Sequence, residues 1–177
     1  MEISSEIKMK FFTGDHHFNH KSIIEACERP FKNVWAMSAY MIDQWNKVVE
    51  KGDVVYHLGD FALPNKGDGM EVKDIACALN GQIHLVKGNH DDKNLKLFKG
   101  LFTKIVSLEY IKLKTGQKVM LCHYPMLSWR ASHHGSWHLH GHVHGRMATR
   151  RGCLDVGVDA TNFIPISEEE IPHLIWE

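Results

Sequence analysis

Short runs of strand character alternate with stretches of helical period along the chain. Residues 8–13, 53–58 and 82–86 are rich in β-branched, aromatic and apolar side chains, and each predicts a strand. Between the first two, residues 22–28 predict a short helix stopped before Pro30. Val34, Met37, Met41, Ile42, Trp45, Val48 and Val49 then recur at helical spacing and predict a helix over 34–50. Trp35 and Tyr40 lie off its apolar stripe, and Gly52 would close it. Val72, Ile75, Ala76 and Leu79 put a third helix at 71–79, ended by Asn80-Gly81. Strand, helix and strand in this order predict right-handed βαβ units and a parallel sheet.

The second half reads differently. Asp91 or Asp92 would cap a helix reaching about residue 98, and residues 104–113 alternate as one strand. Thr115-Gly116-Gln117 is a hairpin turn leading into a strand at 118–122. An irregular loop follows, then a further strand at 154–158. A closing segment at 164–176 carries a short acidic helix at 167–170. The expected fold is α/β, and a single domain over 1–177 is the expectation from length.

Polar residues then punctuate the strand ends. Gly14-Asp15-His16-His17 follows the first strand, Gly59-Asp60 the second and Gly88-Asn89-His90-Asp91 the third. In α/β proteins ligands bind outside the carboxyl ends of the strands. The βαβ topology would bring Asp15, Asp60 and Asn89 to one sheet edge. His123 ends the returning strand, and the stretch 137–145 (Trp-His-Leu-His-Gly-His-Val-His-Gly) places four imidazoles on alternate positions. Each motif has a bland reading: Asp15 as a turn or capping residue, the histidine stretch as a surface loop. Together they form a set too large for one metal and natural for two. Mixed Asp, Asn and His ligands suit Mn, Fe, Zn or Ni rather than an all-oxygen calcium cage.

Lys+Arg and Asp+Glu balance at 21 each, so net charge points to neither a polyanion partner nor a membrane surface. Cys27, Cys77, Cys122 and Cys153 form no Cys-x-x-Cys pair, which argues against a zinc ribbon or redox motif. Cys77 and Cys122, in apolar surroundings, read as small core residues. No secretory signal opens the chain and no apolar run is long enough to span a bilayer. The cytoplasm is the expected location.

Asp-x-His at 15–17, Gly59-Asp60, Gly88-Asn89-His90-Asp91, His123 and Gly141-His142-Val143-His144 resemble, in order and spacing, the five motifs of the calcineurin-like metallophosphoesterases. The match runs over residues 14–144. The resemblance implies an α/β/β/α sandwich with a dinuclear metal site at the C-terminal ends of the strands. It implies Asp15, His17 and His144 on the first metal, and Asn89, His123 and His142 on the second. Asp60 would bridge the two. His90 would bind no metal and would face the scissile phosphate, where it stabilises charge or protonates the leaving oxygen. Such a pair of ions activates a bridging water for in-line attack on phosphorus.

Where protein phosphatases of that superfamily carry Asp and Arg soon after Gly-Asp, this chain reads Phe61-Ala62-Leu63-Pro64. That counts against protein Ser/Thr phosphatase activity and leaves the orienting partner of His90 open; Asp91 is adjacent in sequence, but adjacency does not give the geometry. His17-Phe18-Asn19-His20, the 56–61 stretch (Tyr-His-Leu-Gly-Asp-Phe) and the 132–138 stretch look like a compact bacterial and phage branch. The expected substrate is a small phosphodiester or nucleotide-type ester. Alternatives are a phosphomonoesterase, a nuclease, or a scaffold with decayed catalysis. The lack of a basic stripe argues against extended nucleic-acid tracking. His20, Trp129, Arg130, His133 and His134 are candidate substrate contacts, because they flank or lie between ligand motifs. His16 is equally readable as substrate contact or support, and His138 and His140 are expected as buried, hydrogen-bonded support for the ligands.

Overall fold

The computed structural model describes residues 9–175. The first half contains β1 (Lys10–Thr13), α1 (Lys21–Ala26), α2 (Val34–Val48), β2 (Val54–His57), α3 (Val72–Ala78) and β3 (Gln82–Val86). The second half contains β4 (Lys104–Val106), β5 (Leu108–Lys112), β6 (Lys118–Cys122), β7 (Trp137–His140), β8 (Cys153–Asp155), β9 (Ile166–Ser167) and α4 (Ile171–Leu174). Two sheets result. The first runs β4-β3-β2-β1-β9, parallel except for β9; the second runs β5-β6-β7-β8, with only β5 and β6 antiparallel.

The alternation of each strand assigns its two faces. On β1–β3, Phe11, Val55, Ile83 and Leu85 pack under the helices against Met37, Met41 and Trp45 of α2 and Val72 and Ile75 of α3. Asn33 fixes the start of α2 by accepting a hydrogen bond from Ala36 N–H at 2.8 Å. The opposite face of the first sheet, with Phe12, Tyr56 and Val86, meets Val119, Leu121, Trp137 and Leu139 of the second sheet. The outer face of the second sheet presents His138 and His140. Loop 124–136 covers it: Met126 N–H donates to His138 Nε2, and the Trp129 ring lies 5.3 Å from that of His138. The mixed α/β sandwich is therefore present, with loop rather than long helix as its fourth layer.

Four local expectations change. Residues 104–113 are two strands in different sheets, broken at Ser107; Val106 pairs with Val86, while Leu108 pairs with Cys122. The expected helix at 91–98 is a single 3-10 turn, Asp92–Asn94, because the Asp91 carboxylate points into the core instead of capping. The acidic segment is not helical at 167–170. Ser167 pairs in β9, and buried Glu168 accepts hydrogen bonds from the backbone of Lys10 and Lys114, so the helix starts only at Ile171. Cys77 is exposed rather than core, since it lies on the far side of α3 from Val72 and Ile75. The strand read from Lys8 begins at Lys10; Lys8 and Trp176 lie outside the described residues. No helix among the described residues is long and apolar enough to cross a membrane.

Candidate metal centre

Every candidate ligand follows a strand of the sandwich, and the two sheets meet there. Gly14, after β1, bridges to Gly157, after β8. Asp15, His17, Asp60, His142 and His144 all adopt positive φ, between 50° and 72°. This left-handed conformation is uncommon outside glycine and clusters at functional sites. Glycine is required beside Asp15: a Cβ on Gly141 or on Gly157 would lie 2.5 Å from Asp15 Oδ2.

Asp15 is fully buried. Its Oδ2 accepts from His142 N–H at 2.8 Å, while Oδ1 has no hydrogen-bond partner. Burial, with the nearby carboxylates of Asp155 and Asp60, raises its pKa well above the usual range. His17 is also buried. Its Nδ1 is 3.1 Å from His20 Nδ1, its Nε2 is unpartnered, and burial holds the ring neutral. Asp60 lies between the two halves of the site. Its Oδ1 accepts from His90 N–H at 2.9 Å, and its Oδ2 is 3.5 Å from both His17 Nε2 and His123 Nε2.

His123 has its tautomer set by backbone: Nδ1–H donates to Leu58 O at 2.7 Å, leaving the Nε2 lone pair for a ligand. That Nε2 is 3.1 Å from Asn89 Oδ1. His142 completes this half, its ring 5.0 Å from that of His123. His144 is fixed likewise, with Nδ1–H donating to Asp159 Oδ2 at 2.7 Å. Ligand atoms thus converge within 4.8 Å in two main groups, Asp15–His17–His144 and Asp60–His123–His142; a third group joins His17, Asp60 and His90. The orphaned Asp15 Oδ1 and His17 Nε2 fit metal coordination. Buried polar atoms normally find a partner, and these two point into a cluster of nitrogen and carboxylate donors.

Asp91 is not the orienting partner of His90. Its buried carboxylate accepts from the amides of Asp60 (2.7 Å), Gly88 (2.8 Å) and Phe61 (2.9 Å), pinning two ligand turns together. Burial pushes its pKa up to about 6. The His90 ring packs instead beside the rings of His17 (5.1 Å) and His20 (5.3 Å). His16 faces away from the site, buried and paired with His57 at 2.9 Å between ring nitrogens. His138 and His140 are buried and hydrogen-bonded to backbone carbonyls.

Three residues with no motif around them also shape the site. Arg29, buried, donates from Nε and Nη2 to both oxygens of Asp159 at 2.8 and 2.7 Å, and also to the carbonyls of Asp15 and His16. Asp159 stays below the usual carboxylate range: burial would raise it, but the hydrogen bonds from His144 and Arg29 outweigh that. Asp155 accepts from Gly145 and Gly157 N–H, both at 2.8 Å, and so holds the Gly-His-x-His-Gly turn. Only proximity in the fold could have found them.

The candidate substrate residues divide. His20 sits beside His17 and His90 and lines a cavity of about 780 Å³ with Asn19, Lys21 and residues of loop 63–68. Trp129, His133 and His134 line a different cavity of about 790 Å³, and none of the candidate metal ligands lines it. Arg130 stacks over the Tyr110 ring, 4.6 Å from its centroid. Tyr124, not anticipated from sequence, is exposed with its ring 4.8 Å from that of His142.

Residues 12–160 match the calcineurin-like phosphoesterase superfamily domain. An uncharacterized protein of Methanocaldococcus jannaschii is 35% identical over 172 residues, covering 93% of this chain and 90% of its own length. The Gene 66 protein of Mycobacterium phage L5 is 25% identical over 194 residues, covering 93% of each chain. A crystal structure of a protein of unknown function from Aquifex aeolicus superposes with a TM-score of 0.73 at 31% identity. The alignment covers 95% of this chain and all of that one.

Proposed function

Since the chain belongs to the calcineurin-like phosphoesterase superfamily, we propose that it is a dinuclear metal-dependent hydrolase of small phosphodiesters or nucleotide-type esters. The observation that carries this reading is the position of Asp60 Oδ2, 3.5 Å from one imidazole nitrogen of each ligand group. Asp15, His17 and His144 would hold one ion, and Asn89, His123 and His142 the other. Asp60 would be shared. The donor set suits Mn, Fe, Ni or Zn. When bound, the ions would polarise the phosphoryl oxygens and supply an acidified water.

The chain's own residues do the rest. His123 and His144 are held in the tautomer that offers Nε2, by Leu58 O and by Asp159. Asp60 holds the His90 backbone through Oδ1. His90 is half-exposed at the rim, in place to give a proton to the leaving oxygen as the bond from phosphorus to that oxygen breaks. Single-domain organisation over the whole chain and a cytoplasmic location complete the proposal.

The test is hydrolysis of bis-p-nitrophenyl phosphate and p-nitrophenyl phosphate by protein loaded with Mn, Ni, Zn or Fe, with metal content measured on the same samples. Turnover of the diester at two ions per chain is expected. Absence of turnover with every metal, at full occupancy, would refute the hydrolase reading.

A further inference from the structure

Two of the proposed metal-binding imidazoles are held by groups that can only accept: His123 by the carbonyl of Leu58 and His144 by the carboxylate of Asp159. His17 is held differently. Its Nδ1 meets Nδ1 of another imidazole, His20, at 3.1 Å, and Nε2 of His20 lies 2.9 Å from Ser22 Oγ. Burial pushes both rings towards the neutral form, in which each carries one N–H. Two polarities are then open to the pair. Either His17 donates from Nδ1 and keeps its Nε2 lone pair free, or His20 donates and the proton of His17 sits on Nε2. In the second arrangement that proton would point towards Asp60 Oδ2, 3.5 Å away, and His17 could ligate nothing.

The backbone brings the two rings together. His20 N–H donates to His17 O at 3.0 Å, closing a turn in which Asn19 adopts φ 64°. Asn19 anchors that turn to the loop after β2. Its amide donates to Leu63 O (3.2 Å) and Met70 O (2.8 Å), and its oxygen accepts from Met70 N–H (3.1 Å). His20 occupies the N-cap of α1, where a side chain usually satisfies the first amides of the helix. It makes no such bond. The imidazole is turned back onto His17 instead, the ring centres 5.1 Å apart.

We infer that His20 is a positioning residue for the first ion: it accepts the Nδ1–H of His17 and so presents Nε2 of His17 to the ion shared with Asp15 and His144. Ser22 Oγ takes the Nε2–H of His20, which leaves His20 Nδ1 as the acceptor. This rests on the dinuclear reading above, and it moves His20 from contact with the ester to support of a ligand. It also sets His17 apart from His123 and His144. A carbonyl or carboxylate fixes their tautomers whether or not an ion is bound, whereas the partner of His17 can donate as well as accept. Ser22 and the ion together fix the polarity of this pair.

The experiment has two arms, and neither depends on turnover. Isothermal titration with Mn compares wild type with His20→Ala. Affinity for one ion should fall by about 10–100-fold, as loss of such a partner typically gives, and the other should be unchanged. In His20→Ala/Asp159→Asn the other ion should still bind as in wild type, because both changes act on ligands of the same ion. In the second arm, nitrogen NMR of isotope-labelled histidines is recorded on Zn-loaded wild type. His17 should carry its proton on Nδ1 and His20 on Nε2, with a nitrogen–nitrogen coupling across the hydrogen bond. A merely structural His20 would give no such coupling. If Mn affinity falls as expected but bis-p-nitrophenyl phosphate is not hydrolysed, the positioning role stands and the hydrolase reading falls. If that diester is hydrolysed and His20→Ala raises its KM with both Mn affinities unchanged, His20 is a substrate contact and the inference is overturned. A proton on Nδ1 of His20 in the Zn-loaded protein overturns it equally, and that result needs no variant to fold.

Discussion

Asp159 Oδ2 accepts the Nδ1–H of His144 at 2.7 Å, and the same carboxylate is gripped from its other side by the guanidinium of Arg29. This contact leaves Nε2 as the free nitrogen of His144, the one it would offer to an ion on the proposed assignment. Partners of this kind typically change metal affinity by about 10–100-fold. Asp159→Asn should therefore weaken one of two ions by that order and leave the other in place, as read by isothermal titration with Mn. Arg29→Ala should cost stability as well, about 3–5 kcal/mol in urea unfolding, because it removes the buried cation paired with the Asp159 carboxylate. Equal weakening of both ions by Asp159→Asn would break the assignment.

On the proposed assignment Asp60 is shared by both ions, so its replacement should differ in kind from that of a ligand to one ion. Asp60→Asn is expected to lower occupancy at both positions, whereas His144→Ala should leave about one ion per chain. Metal analysis after gel filtration distinguishes these outcomes. A wild-type stoichiometry that saturates at one would end the dinuclear proposal.

His90 sits within 4.8 Å of the ligand atoms of His17 and Asp60, so its role needs a separate test. His90→Asn should retain full metal content and lose about 10²–10⁴-fold in kcat for alkyl esters. The loss should be smaller for p-nitrophenyl esters, whose leaving group needs little protonation. Loss of an ion from this variant would make His90 a ligand instead.

The pH dependence of stability should carry the signature of His138. Burial holds its pKa down at about 4, and its neutral ring accepts from Met126 N–H. Unfolded, it would titrate near 6.5. Between those values the unfolded chain binds a proton that the folded one refuses. The contribution is therefore full above pH 6.5 and declines as pH falls towards 4, by about 1.4 kcal/mol per unit. Asp91, raised to about 6, works in the opposite direction over part of that window. The measurement is thus a difference: urea midpoints of metal-free wild type and His138→Asn from pH 7.5 to 4.5. The wild type should lose stability more steeply on acidification; parallel curves would remove His138 from the account.

Much of the first sheet was legible because its signals are local. An apolar run closed by Gly and a carboxylate or imidazole marks both strand and turn, as at Gly59-Asp60, where the same residues end β2 and line the site. The crossing between sheets was not legible. Alternation continues unbroken through Ser107, and only the partner strands differ on its two sides. Asp91 reads as a helix cap in sequence, yet its carboxylate serves three amides that lie close only after folding. Arg29 and Asp159 are likewise invisible to spacing, since their pairing joins the end of the first helical segment to the loop after β8. For loop 129–136, sequence position between two ligand motifs suggested a wall of the metal centre. The fold turns Trp129 onto His138 and opens its own cavity behind it.

The candidate ligands are drawn from both sheets: Asp15, His17, Asp60 and Asn89 follow strands of the first, and His123, His142 and His144 follow strands of the second. No nucleus built from one sheet alone contains a complete site, so neither ion has a home until the two halves have closed on each other. Ions captured on these residues would act late on the folding route. They would hardly hasten folding, but they would have to be shed before the sheets could part. Metal should accordingly slow unfolding far more than it speeds folding, a rivet set after the plates are aligned.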